Sequence, residues 1–174
     1  MLAPYSVTVG SFADVSRANS VLQRLRDPAG GVWATLAPVR VGGVVYQRVV
    51  VGLERSEEGL ADVIEKAASV LDTDPGAWIS GEAGIAVCLG ESSWSMDLRD
   101  TLARAERAGA TPYVLQTFGN DGQLLFRVYA GSYPSVGEAQ HLLSTLRSAG
   151  FEAQTCERVG VPSGRSDLSV GRTG

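Results

Sequence analysis

Apolar and polar positions alternate almost from the first residue. Tyr5-Ser6-Val7-Thr8-Val9-Gly10 places every second side chain on one face, as a half-buried strand requires. The period then lengthens: Val15, Ala18, Val21, Leu22 and Leu25 form one helical face. The cluster Asp27-Pro28-Ala29-Gly30-Gly31 stops that helix. A strand around Val32–Val39, a turn at Gly42-Gly43 and a strand at Val44–Val51 follow, since Gly-Gly between two apolar runs is a hairpin signal. Ser56 precedes a second helix with Leu60, Val63, Ile64, Ala67 and Leu71 in a tight stripe. Trp78-Ile79-Ser80 is the remaining candidate for a closing strand.

The same order then recurs. Arg48-Val49-Val50-Val51-Gly52 and Arg127-Val128-Tyr129-Ala130-Gly131 lie 79 residues apart, and that offset also pairs Ala29-Gly30 with Ala108-Gly109, Leu36 with Leu115, Gly43 with Gly122 and Ser56 with Ser135. Val7-Thr8-Val9-Gly10 matches Val87-Cys88-Leu89-Gly90 at an offset of 80. The second copy reads as a strand at Ile85–Gly90, a helix burying Leu98, Leu102 and Ala105, and a hairpin of Tyr113–Phe118 and Leu124–Ala130 around Gly119-Asn120-Asp121-Gly122. Ser135 and Glu138 form an S-x-x-E capping box ahead of Ala139, Leu142, Leu143 and Leu146. Gly150 ends that helix and Phe151–Val159 alternates as a last strand. The expected organisation is one unit at residues 4–80, a second at 84–160 and a flexible Pro/Ser/Gly/Arg-rich tail at 161–174.

Each unit is therefore β-α-β-β-α-β. Right-handed crossovers fold this as a split βαβ, an α+β, ferredoxin-like unit with a four-stranded sheet in the order 4-1-3-2 and two helices on one face. The other face is left open. Alternation puts Ser6, Thr8, Gly10, Tyr46, Arg48 and Val50 on the open face of the first unit. In the second it places Ala86, Cys88, Leu125, Arg127, Tyr129, Glu152, Gln154, Cys156 and Arg158 there. The link at Ser80–Gly84 is short, so the units are expected to dock closely, sheet on sheet or sheet on linker, with part of each face hidden.

Composition removes several function classes. At 174 residues and 44% hydrophobic, the chain is long and apolar enough for a core without staples, and too apolar for disorder. No apolar run approaches the ~20 residues of a membrane span. With 15 Lys and Arg against 19 Asp and Glu, a net charge of −4, it lacks the basic footprint of a nucleic-acid binder. Lys66 is the lone lysine, so the cations are almost all planar, forked guanidinium donors. A single His141 and two distant cysteines argue against a metal site or a histidine-based triad, and His141 lies off the leucine stripe as an exposed helix residue. Glu57 and Glu58 belong to the opening turn of a helix, and Asp72 and Asp74 to a turn before Pro75, so neither makes a glycosidase pair. Gly81-Glu82-Ala83-Gly84 lacks a phosphate-loop pattern. Trp33, Trp78 and Trp94 read as core or junction residues, Trp94 as a hydrophobic staple. No catalytic residue, metal or cofactor is expected; a ligand sensor or enzyme subunit would require a pocket between the units, for which the sequence carries no signature. Met1-Leu2-Ala3-Pro4 runs straight into the first strand without a signal-peptide pattern, as in a cytoplasmic protein or a segment of a longer chain.

The motifs resemble the SPOR (sporulation-related repeat) family of bacterial envelope domains. The family's usual opening is an aromatic strand ending Gln-Val-Gly-Ser-Phe, and Tyr5-Ser6-Val7-Thr8-Val9-Gly10-Ser11-Phe12 follows it except at Thr8. Its third strand typically reads Tyr-Arg-Val-x-Val-Gly-Pro-Phe, similar to Arg48–Gly52 and to Phe126-Arg127-Val128-Tyr129-Ala130-Gly131-Ser132-Tyr133. Thr145-Leu146-Arg147-Ser148-Ala149-Gly150-Phe151 matches the family's Leu-x-x-x-Gly before strand four. The resemblance spans residues 5–159. It implies non-catalytic binding to peptidoglycan glycan strands stripped of stem peptides, in division or wall remodelling, in the periplasm or another extracytoplasmic part of the envelope, with envelope or divisome proteins as further partners. The strand-one Gln of the family's glycan surface is Thr8 in one copy and Cys88 in the other, and copy two has Glu91-Ser92 in place of Ser-Phe.

A stripped glycan offers the lactyl carboxylate of N-acetylmuramic acid, which Arg48 or Arg127 can grip bidentately, and a sugar face for Tyr129, with Gln154 and Thr8 in support. The competing reading makes both arginines solvated cross-strand partners worth about 0.2–1 kcal/mol each. In an oxidising periplasm, Cys88 and Cys156, on neighbouring strands and facing the same way, are candidates for a disulfide, although a simple register pairs Cys88 nearer Ala153. The apolar open faces and the two lost glutamines favour an alternative: a structural or protein-interaction module that has kept the fold and lost glycan binding.

Overall fold

Both copies fold in the order their patterning demands. The computed structural model describes residues 2–163. The first unit comprises β1 (Tyr5–Phe12), α1 (Val15–Arg26), β2 (Ala34–Val41), β3 (Val44–Glu54), α2 (Leu60–Leu71) and β4 (Ile79–Glu82). The second comprises β5 (Ile85–Ser92), α3 (Arg99–Arg107), β6 (Pro112–Phe118), β7 (Leu124–Tyr133), α4 (Gln140–Ser148) and β8 (Gln154–Glu157), followed by β9 (Val161–Pro162). The sheets run β2-β3-β1-β4 and β8-β5-β7-β6-β9. That is the 4-1-3-2 order in each unit, with one addition. Val161 and Pro162, expected to open a loose tail, pair with Gln116 and Leu115 of β6. Residues 164–174 of that tail lie outside the described residues.

Local chemistry explains the element ends. The Asp14 carboxylate accepts from the N–H groups of Ser16 and Arg17 at 2.8 and 3.4 Å and so caps α1, whose Ala18, Leu22 and Leu25 are fully buried. Gly42 and Gly43 take φ of +56° and +81°, which a two-residue hairpin between twisted strands requires. The capping box forms only by half. Ser135 Oγ accepts the Glu138 N–H at 3.3 Å, but the Glu138 carboxylate turns away to Arg48, because the first unit brings a guanidinium within 2.9 Å of it.

The recurring valine-glycine run also has a structural cause. Tyr5 pairs with Glu54 but Val7 with Val51, and Ile85 pairs with Tyr133 but Val87 with Ala130. Each mismatch inserts a bulge into the longer strand. Gly52 and Gly131 sit in those bulges with φ of +87° and +75°. A Cβ at Gly52 would press on Val63 of α2 at 3.1 Å, and one at Gly131 would collide with the Tyr133 ring and Leu142 of α4. The repeat signature therefore marks where a helix crosses a bulge too closely for a side chain.

Docking uses the open face of the first sheet. Ala37, Val39 and Val50 leave their own unit and share one core with Val87, Ala130, Tyr133, Leu142 and Leu146 of the second. Val7, Leu22, Leu36, Val49 and Val51 form the first unit's own core on the opposite face. Polar groups fix the match: Thr35 Oγ1 donates to the Thr111 carbonyl at 3.1 Å, the Leu36 N–H donates to Thr111 Oγ1 at 3.0 Å, and Tyr133 Oη donates to the Pro38 carbonyl at 2.8 Å. Burial pushes the Tyr133 phenol far above its usual range, so it stays a donor.

Arg158 falls on the open face of the second sheet, as alternation requires, but it is 1% exposed. Its guanidinium donates to Ser132 Oγ at 2.6 Å, Ser6 Oγ at 2.7 Å and the Ala3 carbonyl at 3.2 Å, and lies 5.6 Å from the Trp33 ring centroid. Beside it, Cys88 and Cys156 form a disulfide with Cα atoms 6.1 Å apart. The register sets Cys88 opposite Gln154 and Ala86 opposite Cys156, so the bond runs diagonally across β5 and β8 and Gln154, rather than Ala153, faces Cys88.

Two measurements follow. Gly131→Ala is expected to lower unfolding free energy by about 2–3 kcal/mol, well beyond Gly122→Ala, where φ is +77° but a Cβ meets nothing, and denaturation with a shared core should stay a single transition. Equal losses would remove the close-approach argument. Alkylation without reductant, read by intact mass in protein made in an oxidising compartment, should leave both cysteines unlabelled, and Cys88→Ser should cost about 2–4 kcal/mol of stability.

Candidate functional site

The open face of the second sheet is divided in two. On the β6 side, Trp33 from the first unit meets Tyr113 edge-on at 4.9 Å, and Tyr113 stacks on Tyr129 at 5.8 Å. Ala86 and Leu115 complete this covered half. The Tyr113 hydroxyl donates to the Gly131 carbonyl at 2.7 Å, and burial raises its pKa although Arg158 pulls the other way. On the β8 side the face opens into a groove of about 660 Å³.

The groove forms because β8 stops at Gln154 while β5 runs on to Ser92, leaving Gly90 and Glu91 without a neighbour on that side. The Cys88–Cys156 bond lies in its floor, with Arg127 and Gln154 lining it. The far wall is α3, which contributes Thr101 and Arg104, the latter with its guanidinium carbon 4.4 Å from the Phe151 ring centroid. Arg127 Nε donates to Glu91 Oε2 at 2.9 Å, a partly exposed pair. Burial works against the Arg127 charge, but the Glu91 carboxylate and the Tyr129 hydroxyl outweigh it and raise the pKa, so the cation persists at any physiological pH. Its Nε is committed to Glu91, which leaves the terminal amino groups for a bound carboxylate or hydroxyl.

The structure brings two of the five expected binding residues together as accessible groups. Arg127 and Gln154 share the groove. Tyr129 borders it but is 1% exposed: its ring lies on Tyr113, and its hydroxyl accepts the Val159 N–H at 3.2 Å. The segment leading into β9 thus takes the surface expected to meet a sugar. Arg48 lies at the unit junction, paired with Glu138. Thr8 is on the other sheet, half-buried between Val50 and Ile79 of the flanking strands. Of the tryptophans, Trp78 packs on the first unit's core, Trp33 lies at the junction, and Trp94 is exposed. Arg104 carried no signal in the sequence, and Glu91 stood out only as a departure from the Ser-Phe pattern. At 3.6 residues per turn Arg104 lies well off the Leu98/Leu102/Ala105 stripe, so no local period marks it. Nothing local marks Glu91 as the partner of Arg127.

No helix among the described residues is long and apolar enough to cross a membrane. Among solved structures, one of an unknown protein from Galdieria sulphuraria aligns over 90% of this chain and 99% of that one, at 18% identity and a TM-score of 0.26. One of a putative glycine cleavage system transcriptional repressor aligns over 89% and 98%, at 11% identity and a TM-score of 0.22. Scores this low carry no argument. No curated relative matches the chain. Residues 2–80 and 89–155 each match the SPOR domain, a family of generally peptidoglycan-binding modules found in bacterial envelope proteins. With both units matched, and each folded as a split βαβ, the chain belongs to the SPOR domain family as a tandem pair.

Proposed function

We propose that the chain is a non-catalytic module that binds peptidoglycan glycan strands lacking stem peptides, outside the cytoplasm, during division or wall remodelling, and that the groove on the second sheet seats the strand. The observation that carries this reading is the convergence of Arg127, Gln154 and Arg104 on one open groove in a tandem SPOR chain. Arg104 and Arg127 suit the lactyl carboxylate, and Gln154 and Thr101 suit acetamide and hydroxyl groups. The first unit offers no equivalent, because Ala37, Val39 and Val50 of its open face are core. A disulfide bridging the groove floor fits an oxidising compartment.

The covered face of the first unit favours a second reading, in which the chain is an interaction module for envelope or divisome proteins. Co-sedimentation with amidase-treated sacculi separates the two. The wild-type chain should be retained, Arg127→Ala should weaken retention about tenfold, and Arg48→Ala should change retention little while lowering stability. Absence of pull-down at any protein concentration removes glycan binding and leaves the interaction module.

A further inference from the structure

A second groove, of about 460 Å³, opens where the two units meet. Its walls come from the end of β2, from β3, and from the turn before α4 with the helix's first residues. Arg40 and Arg48 belong to the first unit, Glu138 and His141 to the second, so neither unit holds the site alone. His141, expected as an exposed helix residue, is half-buried here. Arg40 from β2, Arg48 from β3 and Glu138 ahead of the helix are the charged groups facing it. Arg48 and Glu138 Oε1 pair at 2.9 Å, which leaves Arg40 without a carboxylate or hydrogen-bond partner among the described residues. Glu138 Oε2 is buried and accepts no hydrogen bond from the described residues. A buried acceptor in that state calls for a donor.

The groove thus presents a solvent-facing cation with no acceptor from the described residues beside a buried acceptor with no donor from them. A simple anion would satisfy Arg40 but leave Glu138 Oε2 unmet and repel it. A neutral sugar would donate to Glu138 and leave Arg40 unmet. We propose that the junction groove binds an acidic saccharide, its carboxylate held between Arg40 and His141 and a ring hydroxyl or amide N–H donating to Glu138 Oε2. This site is separate from the sheet groove and stands whether or not that groove holds a glycan strand.

Burial and the Arg40 charge lower the His141 pKa, so the imidazole is largely neutral at pH 7 and charges as the pH falls. A carboxylate beside it favours the charged form. Bound acid therefore raises the His141 pKa, and by linkage acid binds more tightly at lower pH.

His141 is the chain's only histidine, so its ring resonances report on this site alone. A proton NMR pH titration with N-acetylmuramic acid should raise the His141 pKa by about 0.5–1 unit, a range kept small because the site is partly open to solvent. Affinity should increase several-fold between about pH 7 and 5.5. N-acetylglucosamine should give no rise and lactate a clearly smaller one. Arg40→Gln, at an exposed strand end, should raise the starting pKa and abolish the ligand-induced rise. Arg127→Ala, which alters only the sheet groove, should leave that rise intact. The proposal is overturned by no rise above an ionic-strength control, by an equal rise with lactate, or by a rise that survives Arg40→Gln.

Discussion

A buried guanidinium that has no carboxylate partner among the described residues holds the two units together. Withdrawing such an ion from water costs several kcal/mol, and Arg158 is met by the Ser6 and Ser132 hydroxyls, the Ala3 carbonyl and the Trp33 ring. Both hydroxyls can serve because each has its own acceptor. Ser6 Oγ donates to the carbonyl of Gly52 in the first unit's bulge at 2.7 Å, and Ser132 Oγ donates to the Ala83 carbonyl in the link at 2.8 Å. Their lone pairs are then directed at the cation. One charge thereby joins the residues before β1, β1 itself, the bulge of β3, the inter-unit link and β7. That charge helps to fix one unit on the other, and the junction groove, whose walls come from both units, depends on the position so fixed.

Docking also explains why a duplicated unit does not give a duplicated site. A split βαβ unit covers one sheet face with its helices and leaves the other to solvent or a partner. Here the first unit's exposed face finds its partner in the second, and Val50, too apolar for a sugar surface, is accounted for as core. The second unit's face is half covered by Trp33 and the turn into β9, with Tyr129 beneath them, and half open over Arg127 and Gln154. Equivalent positions in the repeat thus carry different duties. Arg48 and Arg127 correspond at the 79-residue offset, yet one pairs across the junction with Glu138 and the other within its sheet with Glu91.

The alternation of the strands told which side chains share a face but not what covers that face. Arg158 and Tyr129 point where their parity sends them, and both are buried, because residues before β1, Trp33 and Val159 arrive from distant parts of the chain. Such coverage is set by contacts like Thr35 to Thr111, which no local period encodes. The order of strands and helices was legible because each element carries its own period and stop. The glycine of the valine run was legible as a repeat but not as a bulge, since its reason is the Cβ-sized gap to the next helix. Half of the capping box was read correctly; the half that failed did so because Arg48 competed for Glu138.

The disulfide bears on the lost strand-one glutamine. The second matched stretch begins at Leu89 and ends at Thr155, just inside Cys88 and Cys156, so the bond lies immediately outside the part that follows the family pattern. Cys88 occupies the place of the family's strand-one Gln, and its cross-strand partner is Gln154. Directly paired residues on an antiparallel sheet share a face with Cβ atoms about 5 Å apart. An amide therefore still stands beside that position, carried one strand over from β5 to β8. β8 is an edge strand of four residues and by itself a poor platform for a positioning group. The covalent bond to β5 holds the edge strand, and Gln154 with it, in register with the rest of the sheet. In this unit the cysteine in the glutamine's place forms the strap that fixes another glutamine directly across from it.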